Sequence, residues 1–229
     1  EDLVQEKIQD ISDAQLATIT ALANLAESRD HATGGHIERT QDFCRAIAEQ
    51  LRKTSRYAAQ IDDRFINNLY FAAPLHDIGK VGIQDQILLK PGKLTVEEFE
   101  IMKTHVMISV KTLESIRSRY PDNDFLNLSI ALTRSHHEKW SGGGYPDGLV
   151  GDEIPLCARI MALSDVYDAI RSRRPYKPPF SHETACNIIF ESSGSHFDPE
   201  IVEAFRLIHF DLACIRDRLH QSDEMQQEF

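Results

Sequence analysis

The chain has 229 residues, 41% of them hydrophobic, which is enough for one large domain with a substantial core and unlike a disordered or fibrous composition. A formal net charge of −11 argues against a broad nucleic-acid surface, which needs a basic excess, yet leaves room for a small phosphate ligand held by metals and local cations. No apolar run approaches the roughly 20 residues of a membrane helix. The acidic, amphipathic start, EDLVQEKIQD, lacks the basic residues and apolar stretch of a secretory signal.

Helical periodicity runs through the whole chain. The first dozen residues read as the tail of a connecting helix, and an apolar stripe of Leu16, Ile19, Leu22, Ala23 and Leu25 follows within Asp13–Glu27. A second helix is expected over Gly35–Leu51, with Ile37, Phe43, Ile47 and Leu51 facing inward. Asp62 or Asp63 can cap a third, FINNLYFAAPLHD, which ends before Ile78-Gly79. Thr95 and Glu98 form a capping box that opens a helix bearing Phe99, Met102, Val106 and Val110.

Further helices are expected over Asp124–Glu138, Pro155–Arg171, Ser181–Ser192 and Pro199–Ile208. Pro155 and Pro199 suit a first helical turn, and Asp198 suits the last cap. Strand signals are nearly absent. One long irregular stretch, Lys139 to Ile154, is glycine-rich and holds the single tryptophan; loops of such length in a compact helical domain are usually functional or disordered. The fold is therefore expected to be all-α, with residues 1–14 a connecting-helix remnant, 15–210 the main domain and 211–229 a C-terminal helical tail. Its last ten residues, HQSDEMQQEF, read as a frayed end. The four cysteines, Cys44, Cys157, Cys186 and Cys214, stand far apart and read as reduced, mostly buried thiols of a cytoplasmic protein.

Seven side chains stand out as metal donors: His36, His76, Asp77, His105, His136, His137 and Asp165. Any one of them alone has a plainer reading as a packed or surface residue. Together they are harder to dismiss. His76-Asp77 closes an apolar helix, where an unpaired charge is costly to bury. His136-His137 precedes Glu138 and the glycine loop, and Asp165 lies between Leu163 and Val166, where a carboxylate wants a cation or strong hydrogen bonds. Imidazole and carboxylate together suit iron, manganese, zinc, cobalt or nickel. An aspartate between two histidine groups can bridge two ions, and ions about 3.5–4 Å apart can organise in-line attack on a phosphate.

These residues carry a resemblance. His76-Asp77-Ile78-Gly79-Lys80 resembles the HDxGK signature of the HD phosphohydrolase superfamily. His136-His137-Glu138, followed by Gly144-Tyr145-Pro146 and Asp147-Gly148, resembles the second signature of its HD-GYP branch. TGGHIERT upstream and SDVYDAIRSRRPYK downstream match in order and spacing, so the resemblance spans roughly residues 15 to 206. It implies a helical bundle with a metal centre in its core that hydrolyses cyclic di-GMP to pGpG and in some members onward to GMP. The alternative it leaves is a catalytically weak cyclic-dinucleotide sensor or interaction module.

By the same resemblance, His36, His76, Asp77 and Asp165 hold one divalent ion and Asp77, His105, His136 and His137 the other, with iron or manganese ahead of nickel, cobalt or zinc. Lys80 is implied beside the phosphate, and Asp168 as the carboxylate that orients a ligand histidine. Gly144 and Tyr145, then Arg174 and Lys177, are implied as dinucleotide contacts, the first pair with a purely structural turn as the competing reading. Ala32 stands where some members carry a metal-binding glutamate, which favours two ions over three. Ser141 and Gly143 replace a common aspartate and serine. The leading helix resembles connectors to receiver or sensor domains, and a helix of that kind can also pair between copies, which allows a homodimer.

Overall fold

The computed structural model describes the backbone of residues 2–29, 35–172 and 179–227. Nine helices are described: α1 (Asp2–Glu27), α2 (His36–Thr54), α3 (Asp63–Ala72), α4 (Asp85–Leu88), α5 (Val96–Arg117), α6 (Asp124–Ser135), α7 (Leu156–Arg171), α8 (His182–Glu191) and α9 (Pro199–Gln227). Short 3₁₀ turns join several of them. No strand occurs among the described residues, beyond an isolated bridge between Ser193 and Phe197. The expected all-α class is what the chain adopts, and no described helix is long and apolar enough to cross a membrane.

Helix α2 is the central element. It packs against α3, α7 and α9, and Ile37, Phe43, Ile47 and Leu51 are all fully buried on it. The main core joins these to Leu69, Leu132, Ile160, Met161, Tyr167, Ile201 and Phe205. A smaller cluster of Leu75, Val110, Leu113 and Ile130 sits where α5, α6 and the turn before His76 meet. Caps fall where the side chains dictate. Asp62 accepts from the Phe65 amide, Thr95 and Glu98 form the reciprocal box, and Asp198 accepts from the Glu200 amide at the start of α9. All four cysteines are free, and Cys44, Cys157 and Cys186 are buried.

Five expectations need correction. The third helix stops at Ala72 and continues as 3₁₀ turns at Ala73–Leu75 and Ile78–Gly82, because Pro74 has no N–H to give the Tyr70 carbonyl. The Gln41 side-chain amide donates to that carbonyl instead, at 3.0 Å. Helix α6 ends at Ser135, so His136 and His137 lie in the turn beyond it. Pro155 stands one residue before α7, at its cap.

On α1 the expected stripe holds only in part. Ala23 is buried and Ile19 packs on the smaller cluster as expected, Ala26 joins them, and Leu22 and Leu25 are exposed. Small alanines let α1 approach closely, and the leucines flank that contact. Finally, α9 does not end near Ile208; it continues to Gln227, through residues read as a frayed end.

Candidate metal centre

Asp77 lies at the base of the HD turn, and its two oxygens face opposite ways. Oδ1 is 3.0 Å from His105 Nε2 and 3.6 Å from His136 Nε2, whereas Oδ2 is 3.4 Å from His76 Nε2 and 2.9 Å from Lys80 Nζ. The turn reaches α5 through Gly79, whose amide donates to Ser109 Oγ at 2.7 Å. A Cβ on Gly79 would fall 2.0 Å from the His105 carbonyl oxygen, so only glycine lets the turn lie this close to α5.

The imidazoles are aimed by their other nitrogens. Nδ1 of His76, His105 and His136 lies 2.8, 2.7 and 2.9 Å from the carbonyl oxygen three residues earlier, that of Ala73, Met102 and Thr133. A carbonyl can only accept, so Nδ1 carries the proton and Nε2 keeps a bare lone pair. Those three Nε2 atoms and Asp77 Oδ1 are buried and find no hydrogen-bond partner among the described residues. Lone pairs therefore face a carboxylate oxygen with no proton between them. Such unpartnered buried groups cost about 1–3 kcal/mol each, and a cation at their focus removes the penalty.

The electrostatics agree. Burial pushes the Asp77 carboxyl up, but Lys80 and the surrounding imidazoles outweigh it and hold the group well below the usual carboxylate range. Burial, then His136, keeps His137 neutral well below its ordinary range, and burial also lowers His136. For His76 burial acts downward, but the charge of Asp77 outweighs it and raises the imidazole. Unprotonated imidazoles at His136 and His137 beside an ionised carboxylate are the states that metal binding requires.

The donor atoms fall into two groups, within each of which they lie no more than 4.8 Å apart. Asp77, His105, His136 and His137 form one; His36, His76 and Asp165 form the other. All seven residues expected from the sequence are thus brought to one place, with the His76 ring 5.6 Å from that of His36 and 5.3 Å from that of His136. The chemistry of this donor set, hard carboxylate oxygens with borderline imidazole nitrogens, fits divalent transition ions.

His36 is aimed differently. Its Nδ1 is 2.8 Å from Asp168 Oδ2, and Arg39 clamps the same carboxylate from Nε at 2.6 Å and from its terminal nitrogen at 3.0 Å. Asp168 thus lies in contact with His36, one of the expected donors. Desolvation alone would lower His36, yet the hydrogen bond to Asp168 and the charges of Asp168, Asp165 and Glu27 push it up to about 9. This side of the centre draws positive charge.

The roles of three residues here went unread in the sequence. Glu27, at the end of α1, places Oε1 3.8 Å from His36 Nε2, with its carboxyl pushed up by burial. It brings a carboxylate beside His36; Ala32 lies outside the described residues. Arg39 is the clamp on Asp168. Glu138 is buried, and its Oε1 accepts from the amides of Asp147 and Gly148 at 2.8 and 3.0 Å, which ties the glycine loop to the histidine pair.

That loop closes over the centre. The Tyr145 ring stacks on His137 with centroids 4.6 Å apart, and the Tyr145–Pro146 peptide is cis. A Cβ on Gly144 would meet the Glu138 Cα at 2.4 Å, so its missing side chain serves the loop's own fold. Ser141 hydrogen-bonds to the Ser195 carbonyl from both its amide and its hydroxyl, at 2.9 Å each. Lys103 Nζ stands 5.6 Å from the Tyr145 ring centre. Arg174 and Lys177 lie outside the described residues.

A pattern described as HD domain matches residues 20–201. The chain belongs to the HD domain family. Within it, the HHE and GYP motifs have the form of the HD-GYP branch. A cyclic di-GMP phosphodiesterase of Vibrio cholerae serotype O1 is 48% identical over 204 residues, covering 89% of this chain and 42% of the relative. A cyclic di-GMP phosphodiesterase of Thermotoga maritima is 40% identical over 223 residues, covering 97% of this chain and 57% of the relative. The chain thus spans about half the length of these curated relatives. The crystal structure of a cyclic GMP-AMP-specific phosphodiesterase from Vibrio cholerae has the same fold, with a TM-score of 0.62 and 18% identity over 94% of this chain and 52% of that one.

Proposed function

We propose that this HD domain is a phosphodiesterase that hydrolyses cyclic di-GMP to pGpG at a centre of two divalent ions. The observation that carries the reading is the convergence of three buried Nε2 lone pairs on the Asp77 carboxylate, with every Nδ1 proton already committed to a backbone carbonyl. In this reading Asp77, His105, His136 and His137 hold one ion. His36, His76 and Asp165 hold the other, with Asp77 shared between them and Glu27 adding a carboxylate on the His36 side. Iron and manganese head the order of preference, followed by nickel, cobalt and zinc. Ions held by these residues would supply Lewis acidity toward a phosphate and a bound water of lowered pKa.

The remaining groups position and compensate. The Lys80 ammonium, 2.9 Å from Asp77 Oδ2, is placed to meet negative charge that develops on the phosphate. Tyr145, stacked on His137, offers a ring and hydroxyl at the mouth of the site. Lys103 is a further cation for the substrate phosphates, in addition to Arg174 and Lys177. Helix α1 is read as the connector from an upstream receiver or sensor domain, in keeping with the greater length of the relatives, and its pairing as a route to a homodimer.

The test is anaerobic purification with metal analysis, coupled to product analysis on cyclic di-GMP and on cyclic GMP-AMP. Two ions per chain and release of pGpG are expected. Metal-loaded protein that binds cyclic di-GMP without cleaving it would leave the sensor reading in its place.

A further inference from the structure

Outside this centre, one other cluster of metal-binding side chains occurs among the described residues: His182, Cys186 and His209. His182 and Cys186 stand one turn apart on α8, and His209 reaches them from α9. His182 Nε2 is 2.9 Å from His209 Nδ1 and 3.6 Å from Cys186 Sγ. We propose that these three residues bind a zinc ion that pins α8 to α9, separate from the phosphodiesterase centre and with no part in its chemistry.

Three observations support the assignment. The first is dimensional. A tetrahedral zinc with bonds of about 2.3 Å to sulfur and about 2.05 Å to nitrogen sets a sulfur–nitrogen edge of about 3.6 Å and a nitrogen–nitrogen edge of about 3.3 Å. The separation of Sγ from His182 Nε2 equals that sulfur edge, but Sγ is also 3.7 Å from His182 Nδ1. The half-buried His182 ring must therefore turn to aim Nε2 at the ion, and the two imidazoles must part by about 0.4 Å.

The second is orientation. Tyr167, fully buried on α7, places its hydroxyl 2.9 Å from His182 Nδ1 and accepts from Arg171 at 3.1 Å. A metal-bound His182 would donate from Nδ1 to that hydroxyl and present the Nε2 lone pair to the ion, the outer hydrogen bond that ligating histidines typically make. The third is charge. Burial, then the nearby Arg171 and His209, lowers the His182 pKa and leaves the imidazole neutral, while Asp217 acts in the opposite sense. Arg171 also opposes a divalent cation, and a Cys186 thiolate offsets it.

The balance is simple. On binding, the Cys186 thiol loses its proton to solvent and sulfur donates a pair to the ion. His209 shifts its proton from Nδ1 to Nε2 and stays neutral, and water fills the fourth position. Burial raises the Cys186 thiol, so only a metal with strong affinity for sulfur displaces that proton, which favours zinc over manganese or magnesium.

The phosphodiesterase centre contains no sulfur donor, and this separates the two sites spectroscopically. Metal-free full-length chain titrated with cobalt(II), as a zinc surrogate, is expected to show a thiolate-to-cobalt charge-transfer band that zinc(II) abolishes. Cys186→Ser is expected to lose the band and one metal equivalent while keeping wild-type turnover. Cys214→Ser and Asp77→Ala are expected to keep the band. His209→Ala, at a half-buried position, repeats the test should Cys186→Ser not fold. A wild-type titration without the band, or equal zinc stoichiometry in wild type and His209→Ala, overturns the proposal, whatever the phosphodiesterase assays show.

Discussion

On the Asp77 side of the centre, His105 and His136 are aimed by carbonyls three residues earlier, so each ring is fixed by its own local backbone. On the other side, His36 is aimed by Asp168 from α7, which is in turn held by Arg39 on α2. One arrangement needs only a folded turn; the other needs two helices docked in register. The comparison teaches that the Asp77 side is the rigid half, and that the His36 side is where helix movements or mutations at a distance adjust metal affinity.

The largest effect is expected where both halves meet. Asp77→Ala removes the shared carboxylate and should lose both ions and at least about a thousandfold in turnover, read by metal analysis and product assay. An Asp77→Ala protein that keeps its metals breaks the comparison, since the halves would then be independent. Next is Asp168→Asn, which keeps the shape but removes the charge that fixes His36. About 10–100-fold weaker metal binding on the His36 side alone is expected, visible as one ion lost on graded chelation and the other retained.

Glu138→Ala sharpens a different boundary. It frees the amides of Asp147 and Gly148 without touching a donor atom, so KM for the dinucleotide should rise about tenfold at unchanged metal content, since the loop positions substrate without holding the ions.

The smallest effect is a pH dependence. His36 is raised to about 9, so its protonated form stabilises the metal-stripped chain fully below its ordinary value of about 6.5. That contribution is lost as the pH rises through 9. Thermal melts of chelated protein should therefore weaken across this interval, and metal-loaded protein should not, because there the proton and the metal compete. A flat profile for the chelated chain would remove His36 as the positively inclined group.

Much of this was readable because the seven donors sit in short motifs whose residue types leave few other roles, and Asp168 follows Asp165 by nearly one helical turn. The supports were not readable. Glu27 reaches His36 only through the docking of α1, and Arg39 looks like any helix arginine until α7 lies beside it. Glu138 was visible in its motif, but its task depends on where the loop returns. The same applies to helix α1, whose buried face is set by Ala23 and Ala26 rather than by the larger Leu22 and Leu25. The expected stripe included Ala23 and Ile19, and the closeness of packing decided which of its neighbours joined them. At Pro74 the sequence foretold a helix end near the HD pair but not the partner that takes over the Tyr70 carbonyl.

That partner has a mechanical consequence. Gln41 lies just past one turn beyond His36 on α2, and the carbonyl it grips lies six residues before His76. A single amide therefore couples the rod bearing one imidazole to the segment bearing the other. A twist or slide of α2 drags both rings together, so the spacing between them is conserved while their joint position relative to Asp165 changes. A push transmitted along the bundle would alter the placement of these rings against Asp165 without prising the two histidines apart.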